Sequence, residues 1–171
     1  MVLGLSICIA NRFGSKKGAL DYFCYGVMQR LGFFNQYKPE KLDHISRLVY
    51  ICSGNICRSP LGNIVAQDLN FESVSFGLHC QGGDPAHQKT IQFALKNDLP
   101  IEEHLSRHIS NYDYREGDVF VVMEPSHLKE LELLHPNTPK VLLGFLTDWN
   151  NVYLHDPFNT NTVFFHACME Q

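Results

Sequence analysis

From residue 47 onward, short apolar runs alternate with segments of helical spacing, and this alternation constrains the fold more than any other feature of the chain. Four runs have the length of buried strands, at residues 48–51, 74–76, 119–123 and 141–143. Helical spacing follows at residues 59–69 and 86–95 and in a segment that opens at Pro125, a residue that suits a first helical position. Strands that alternate with helices predict βαβ units and an α/β fold with a parallel sheet.

The residues before 47 follow a different pattern. Gly32 is a candidate C-cap for one helix, and the apolar residues that would share a face of that helix are Leu20, Phe23, Cys24, Val27, Leu31 and Phe34. An apolar stripe usually packs against a core. We therefore expect residues 1–46 to form a helical extension packed on a domain of residues 47–171. A surface for a partner or a membrane is the alternative.

Length and composition favour a globular domain over a nucleic-acid-binding, secreted or membrane-spanning protein. A chain of 171 residues, 44% of them hydrophobic, can bury one full core. The net charge is −4 and no basic cluster exceeds Lys16-Lys17, so we expect no nucleic acid partner. The six cysteines suit reduced thiols in the cytoplasm, because a chain this long needs no disulfide framework. Residues 2–10 lack the marks of a signal peptide, and we expect no membrane span.

The segment that carries chemistry joins the first predicted strand to the first predicted helix. It reads, in order, Cys52, Ser53, Gly54, Asn55, Ile56, Cys57, Arg58, Ser59 and Pro60. A tight turn at a helix N-terminus points backbone N–H groups inward and forms an anion-binding nest. Arg58 offers a planar fork of donors that matches two phosphate oxygens. The same positive field would stabilise a thiolate at Cys52, which could attack a bound phosphate, and Ser59 could donate a hydrogen bond to the sulfur.

Three other interpretations compete for this loop. Cys52 and Cys57, with His79 and Cys80, have a spacing that zinc permits, but an arginine-bearing anion nest argues against a cation site. A buried core thiol would need no such nest around it. A nucleotide site is disfavoured because neither glycine-rich nucleotide motif is present. We therefore expect phosphate chemistry at Cys52, without a metal or a cofactor.

The loop resembles the phosphate-binding loop of the low molecular weight protein tyrosine phosphatases. A second match to this family is an Asp-Pro-aromatic triplet near the C-terminus, Asp156-Pro157-Phe158. The resemblance begins at residue 47, and the extension before it has no counterpart in the family. The final helix, expected from about residue 161, also stops earlier than in the family.

The resemblance implies a fold and a set of roles. The fold is a four-stranded parallel sheet flanked by helices, with the phosphate loop between the first core strand and its helix. Cys52 would be the nucleophile of a phosphocysteine mechanism, Arg58 would bind phosphate, and Asp156 would act as acid and then base. His104 would hold Asn55 in a network with Ser59. The other phosphate- or substrate-binding residues would be Ser53, Gly54, Asn55, Ile56, Cys57, Ser59 and Phe158. Looser family matches are Ser75, Arg107 and Glu124.

The implied substrate is a phosphotyrosine-bearing protein. Residues 78–83 lack Trp and Tyr, which resembles the bacterial members associated with tyrosine kinases of polysaccharide export, so such a kinase is a candidate partner. Two alternatives remain. An arsenate reductase would need a close pair of resolving cysteines, whereas only Cys80 and Cys168 follow the loop. A non-catalytic phosphate-binding module is the other. Cys57 is either a redox partner that protects Cys52 or a small core residue.

Overall fold

A four-stranded parallel sheet forms the centre of the computed structural model, which describes residues 2–42, 44–148 and 151–171. The strands are β1 (Arg47–Cys52), β2 (Ser73–Gly77), β3 (Asp118–Val122) and β4 (Lys140–Leu142), in the spatial order β2-β1-β3-β4. The α-helices of the described residues are α1 (Val2–Phe13), α2 (Lys16–Arg30), α3 (Arg58–Asp68), α4 (Gln88–Lys96), α5 (Pro125–Leu134) and α6 (Thr162–Met169). The predicted α/β fold with a four-stranded parallel sheet is confirmed.

Hydrogen bonds to capping side chains fix where helices α4 and α6 begin, which the apolar pattern of the sequence predicts less accurately. Helix α4 begins two residues later than predicted, because the ring of His87 accepts a hydrogen bond from the Lys89 amide at 3.2 Å and caps the first turn. Asn161 caps α6 in the same way through the Phe164 amide at 2.9 Å. Asparagine is among the preferred N-cap residues, and the His87 ring takes the same role at α4.

The strand register places the carboxyl ends of β1, β2 and β3 side by side at one edge of the sheet. Cys52, the last residue of β1, lies opposite Gly77 at the end of β2, and Ile51 lies opposite Val122 at the end of β3. Both β1 and β3 are deeply buried along most of their length, as parallel strands covered on both faces are. The segments that leave the carboxyl ends of these strands therefore meet beside Cys52, which is where open α/β sheets bind ligands.

Helices α1 and α2 form a hairpin that packs on the rest of the chain. Helix α1 contacts α6. Helix α2 bonds to the segment that leads into Asp156: the Asn151 side chain donates to the Tyr22 carbonyl at 3.1 Å, and the Val152 amide donates to Gln29 Oε1 at 2.9 Å. Among the described residues no helix is both long enough and apolar enough to cross a membrane.

The predicted burial of the apolar stripe on α2 is wrong for most of its residues. Phe34 is buried, but the residues that lie exposed are Leu20, Phe23, Cys24, Val27 and Leu31. The face that packs carries glycines and hydrogen-bonding side chains instead. Gly18 is buried and leaves no room for a side chain, because a Cβ there would clash with the Phe13 carbonyl oxygen and lie 3.2 Å from His155 Nδ1. Tyr22 stacks on the His155 ring. Close backbone approach and ring stacking decide which face is buried, and hydrophobicity alone does not reveal them.

Candidate active site

The loop between β1 and α3 places hydrogen-bonding groups beside the Cys52 sulfur. Cys52 Sγ lies 3.0 Å from Ser59 Oγ, and the Asn55 amide donates to the sulfur at 3.3 Å. Cys52 is 3% exposed. The side chain of Cys57, at the N-cap of α3, makes no capping hydrogen bond, so it does not satisfy the backbone amides of the first turn of that helix. The sulfur therefore lies within hydrogen-bonding distance of both the Asn55 amide and the Ser59 hydroxyl.

Asn55 holds the loop in a conformation that most residues avoid. Its φ is 52°, in the left-handed region that asparagine tolerates better than most side chains. Its side-chain NH₂ donates to Ser59 Oγ and Ser75 Oγ, both at 2.9 Å, and its Oδ1 accepts from the Arg107 amide at 2.8 Å. His104 Nε2 lies 2.8 Å from the Asn55 carbonyl. Because a carbonyl only accepts, Nε2 carries the proton. Burial lowers the pKa of His104 and favours this neutral form.

Arg58 is fixed at the mouth of the loop by oxygens on three sides. It is 5% exposed. Its Nη1 donates to the Leu154 carbonyl at 2.8 Å, both Nη atoms lie 3.2 Å from Glu124 Oε1, and Nη2 lies 3.4 Å from Asp156 Oδ1. Burial opposes the charge, but Asp156 and Glu124 outweigh it and raise the pKa of Arg58. The guanidinium is therefore charged and pre-organised for a phosphate.

Glu124 is a further residue of the candidate site, and the family resemblance indicated it only loosely. It follows β3 directly and also lies 3.0 Å from His127 Nε2. Burial would raise its pKa, but the hydrogen bond from His127 and the charge of Arg58 lower the pKa to about 2. Glu124 therefore stays ionised and anchors Arg58. Its position just beyond the carboxyl end of a central strand was the sequence signal for it.

The predicted catalytic residues face one cavity of about 410 Å³. The loop residues that line it are Cys52, Ser53, Gly54, Ile56, Cys57 and Arg58, and Asp156 and Phe158 line it from the segment before α6. The Asp156 side chain is 45% exposed, and Phe158 is 45% exposed with its ring edge-on to His87. Asn55, Ser59 and His104 do not line the cavity; they support the loop from behind.

Cys57 lies in a buried apolar cluster. Burial raises its pKa to about 12, so this thiol is protonated at neutral pH. Cys80, half-buried, lines the same cavity as Cys52. The cysteines of the described residues are all free thiols. Protection of Cys52 by Cys57 stays a prediction.

His155, the neighbour of Asp156, is a buried imidazole in an aromatic surrounding. It is 1% exposed, its ring lies 4.7 Å from that of Tyr153, and neither ring nitrogen has a hydrogen-bond partner within the described part of the chain. Burial, with a contribution from the charge of Arg58, lowers the pKa of His155 to about 4 from a usual 6.5.

His155 should make folding sensitive to mild acid. The unfolded chain takes up a proton at this ring below pH 6.5 and the folded chain only near pH 4, so the stabilisation is complete above pH 6.5 and is lost as pH falls towards 4. Between pH 7.5 and 4.5 the free energy of unfolding should fall by about 2–3 kcal/mol from this group. Urea unfolding of the wild type and of His155→Phe at both pH values measures it, with His166→Phe as the control. Equal pH dependence in all three proteins would contradict the assignment.

Metal ligation finds no support in the geometry. Across residues 2–42, 44–148 and 151–171, no group of three or more His, Cys, Asp and Glu side chains is arranged to hold a metal ion. The zinc interpretation of Cys52, Cys57, His79 and Cys80 is therefore not supported.

Comparison with known proteins identifies relatives for most of the chain. Residues 47–171 match the family model described as low molecular weight phosphotyrosine protein phosphatase. The chain is 32% identical over 129 residues to the low molecular weight protein-tyrosine-phosphatase Wzb of Escherichia coli (strain K12), covering 71% of this chain and 84% of that protein. It is 30% identical over 93 residues to a Klebsiella pneumoniae protein named as a low molecular weight protein-tyrosine-phosphatase, covering 53% of this chain and 65% of that one.

A solved structure agrees with this match. Vibrio vulnificus Wzb in complex with benzylphosphonate superposes with a TM-score of 0.62 at 25% identity, covering 74% of this chain and 90% of that one. The hairpin of α1 and α2 lies outside the residues that the family model matches.

Proposed function

This chain belongs to the low molecular weight phosphotyrosine protein phosphatase family, and we propose that it hydrolyses phosphotyrosine in proteins through a phosphocysteine intermediate on Cys52. Family membership confirms the sequence-based prediction of a protein tyrosine phosphatase. The observation that carries the proposal is the convergence of Cys52, Arg58 and Asp156 on one cavity. On this proposal residues 47–171 are the catalytic domain and residues 1–46 an added segment.

The first step transfers the phosphoryl group to sulfur. The phosphate is held by the loop amides and by Arg58, and the Cys52 thiolate attacks phosphorus from below. A sulfur–phosphorus bond forms as the bond from phosphorus to the phenolic oxygen breaks. Asp156 donates its proton to that oxygen, so the leaving group departs as a neutral phenol.

The second step releases phosphate. Asp156, now a carboxylate, accepts a proton from a water molecule that attacks the phosphorus. The sulfur–phosphorus bond breaks, and the hydrogen bonds from Ser59 and the Asn55 amide stabilise the departing thiolate. Glu124 and the Leu154 carbonyl keep Arg58 in place throughout.

The shape of the cavity supports an aryl phosphate as substrate. Phe158, 45% exposed at its rim, offers an apolar wall to a tyrosine ring. Benzylphosphonate, bound in the Vibrio vulnificus relative, has the same layout of a phenyl ring joined to a tetrahedral phosphorus group. We propose a phosphotyrosine protein as substrate, a bacterial tyrosine kinase being one candidate. An arsenate reductase is not favoured, because the relatives are named phosphatases and Cys168 is buried.

Phosphate release tests the proposal. The protein should release inorganic phosphate from 4-nitrophenyl phosphate and from a phosphotyrosine peptide. It should release much less from the matched phosphoserine peptide, whose short side chain cannot bring its phosphate to the loop while packing on Phe158. Binding of phosphate without any release would identify a non-catalytic module. Arsenate-dependent oxidation of thiols in place of phosphate release would identify a reductase.

A further inference from the structure

Helix α2 carries a stripe of apolar side chains on the side that faces away from the rest of the protein. Gly18 and Tyr22 lie on the packed side of this helix. On the other side the exposed stripe, with each member between 55% and 70% exposed, consists of Leu20, Phe23, Val27 and Leu31. Positions three or four apart share one face of a helix, so the four side chains form one surface. Exposed apolar surfaces of this kind mark interaction sites.

The segment that carries the exposed stripe is basic in an acidic protein. Residues 1–46 hold six of the 14 Lys and Arg residues and three of the 18 Asp and Glu residues, a net charge of +3, so the rest of the chain carries −7. Lys16 lies four positions before the first residue of the stripe and Arg30 three positions after Val27, so both lie on its side of the helix. Arg12, Lys16 and Arg30 are exposed, and within the described ranges none of them forms an ion pair with a carboxylate.

Two of these cations meet the exposed stripe at a groove along α2. The groove has a volume of about 410 Å³ and is lined by Arg12 and Arg30 together with Phe23 and Val27 of the stripe. None of the other described residues that line it is acidic. Arg12 also lies 5.4 Å from the centroid of the Phe13 ring, which in turn lies 5.7 Å from the Phe23 ring. A groove that combines two guanidinium groups with apolar side chains suits a phosphate group attached to hydrocarbon.

We propose that the N-terminal hairpin binds the surface of an anionic phospholipid membrane, with the exposed stripe among the headgroups and Arg12, Lys16 and Arg30 on lipid phosphates. A membrane interface supplies both chemistries of this surface, negative charge and hydrocarbon, side by side. A second copy of the chain would present the same basic surface, and the two faces would repel each other. With 15 residues, α2 is too short to span a bilayer and would lie in the plane of the interface. The inference goes beyond the proposed function and does not depend on it.

Co-sedimentation of the full chain with lipid vesicles tests the proposal. The wild type should partition about 10-fold or more strongly onto phosphatidylcholine vesicles with about 30% phosphatidylglycerol than onto phosphatidylcholine alone, and about 0.5 M NaCl should remove most of this difference. Arg12→Gln/Arg30→Gln should lower partitioning onto the anionic vesicles by about 5- to 25-fold, because each Lys or Arg near such a surface contributes roughly fivefold. Leu20→Gln/Phe23→Gln/Leu31→Gln should lower it by about 10-fold or more, because the apolar area that enters the interface is lost.

Each variant has a matched control outside the hairpin. Leu69→Gln/Phe71→Gln/Leu133→Gln removes two leucines and a phenylalanine that are 62%, 79% and 58% exposed, in the order Leu69, Leu133 and Phe71. Lys96→Gln/Lys129→Gln removes two exposed cations and changes the net charge of the protein as much as the arginine variant does. Both controls should keep the partitioning of the wild type.

Three results would overturn the inference: no binding to either kind of vesicle, equal binding to both, or equal losses in the hairpin variants and their controls. Light scattering covers the competing occupant, since a dimer that the leucine–phenylalanine variant of α2 dissociates, without vesicle binding, would assign the exposed stripe to a second copy. Circular dichroism checks that each variant is folded. The arginine variant changes only exposed side chains, so it decides the matter even if the apolar variant unfolds.

Discussion

Cys52→Ser is expected to lose turnover of aryl phosphates by on the order of 10⁴-fold or more while still binding phosphate and vanadate. A serine hydroxyl is a far weaker nucleophile than a cysteine sulfur, even though its neighbours, Ser59 Oγ at 3.0 Å and the Asn55 amide at 3.3 Å from Sγ in the wild type, are unchanged. The anion site itself is unchanged, because Arg58 and the amides of the loop do not depend on the sulfur.

Phosphate release measures the loss, and quenching of intrinsic fluorescence or calorimetry with vanadate measures the retained binding. Cys80→Ser is the matched control, since Cys80 is a second free thiol beside the same cavity to which no catalytic step is assigned. Substantial turnover by Cys52→Ser, or equal losses in the two variants, would refute the assignment of Cys52 as nucleophile.

The sheet and the phosphate loop could be predicted because their signals are local. Most strands of the sheet contain an apolar run, of which the one in β3 is the longest, and the loop is a contiguous motif whose order dictates a turn into a helix. Asp156 could be predicted only through its triplet and the family resemblance, because nothing local distinguishes a catalytic Asp-Pro from a turn. The roles of all three catalytic residues stay predictions until they are tested.

The support for the loop depends on contacts that are distant in sequence. His104 and Arg107 reach Asn55 from about fifty positions away, and Glu124 anchors Arg58 from the end of another strand. Such partners are set by the parallel register of the sheet, and spacing along the chain does not reveal them. The family pattern pointed to these positions without showing what they bond to.

The N-terminal hairpin was the least predictable part. A helical extension was predicted but not its division into α1 and α2, and the burial predicted for the apolar stripe on α2 was wrong for most of its residues. Its packing is decided by close backbone approach at Gly18, by the stacking of Tyr22 on His155, and by hydrogen bonds to residues 151 and 152. These contacts join residues that are far apart in sequence, so the sequence pattern does not reveal them.

Asp156→Asn is expected to lower the turnover of substrates with poor leaving groups by about 10²- to 10⁴-fold, while turnover of 4-nitrophenyl phosphate falls much less. A phenol of high pKa needs a proton to depart, whereas 4-nitrophenolate departs readily without one. The comparison is needed because Asp156 also lies 3.4 Å from Arg58, so its removal changes the charge beside the phosphate for every substrate.

Leaving-group dependence separates these two effects of Asp156. Loss of the acid steepens the dependence of kcat on the pKa of the leaving group. A changed environment of Arg58 lowers kcat by the same factor for every substrate. A series of substituted phenyl phosphates, with single-turnover measurement of phenol release, gives that slope. Asp84→Asn is the control, because Asp84 is exposed and lines the same cavity. Its neutralisation should change kcat by the same factor for every substrate in the series. A parallel loss across the series in Asp156→Asn would mean that Asp156 only orients Arg58, and the general acid would have to be sought elsewhere on the rim.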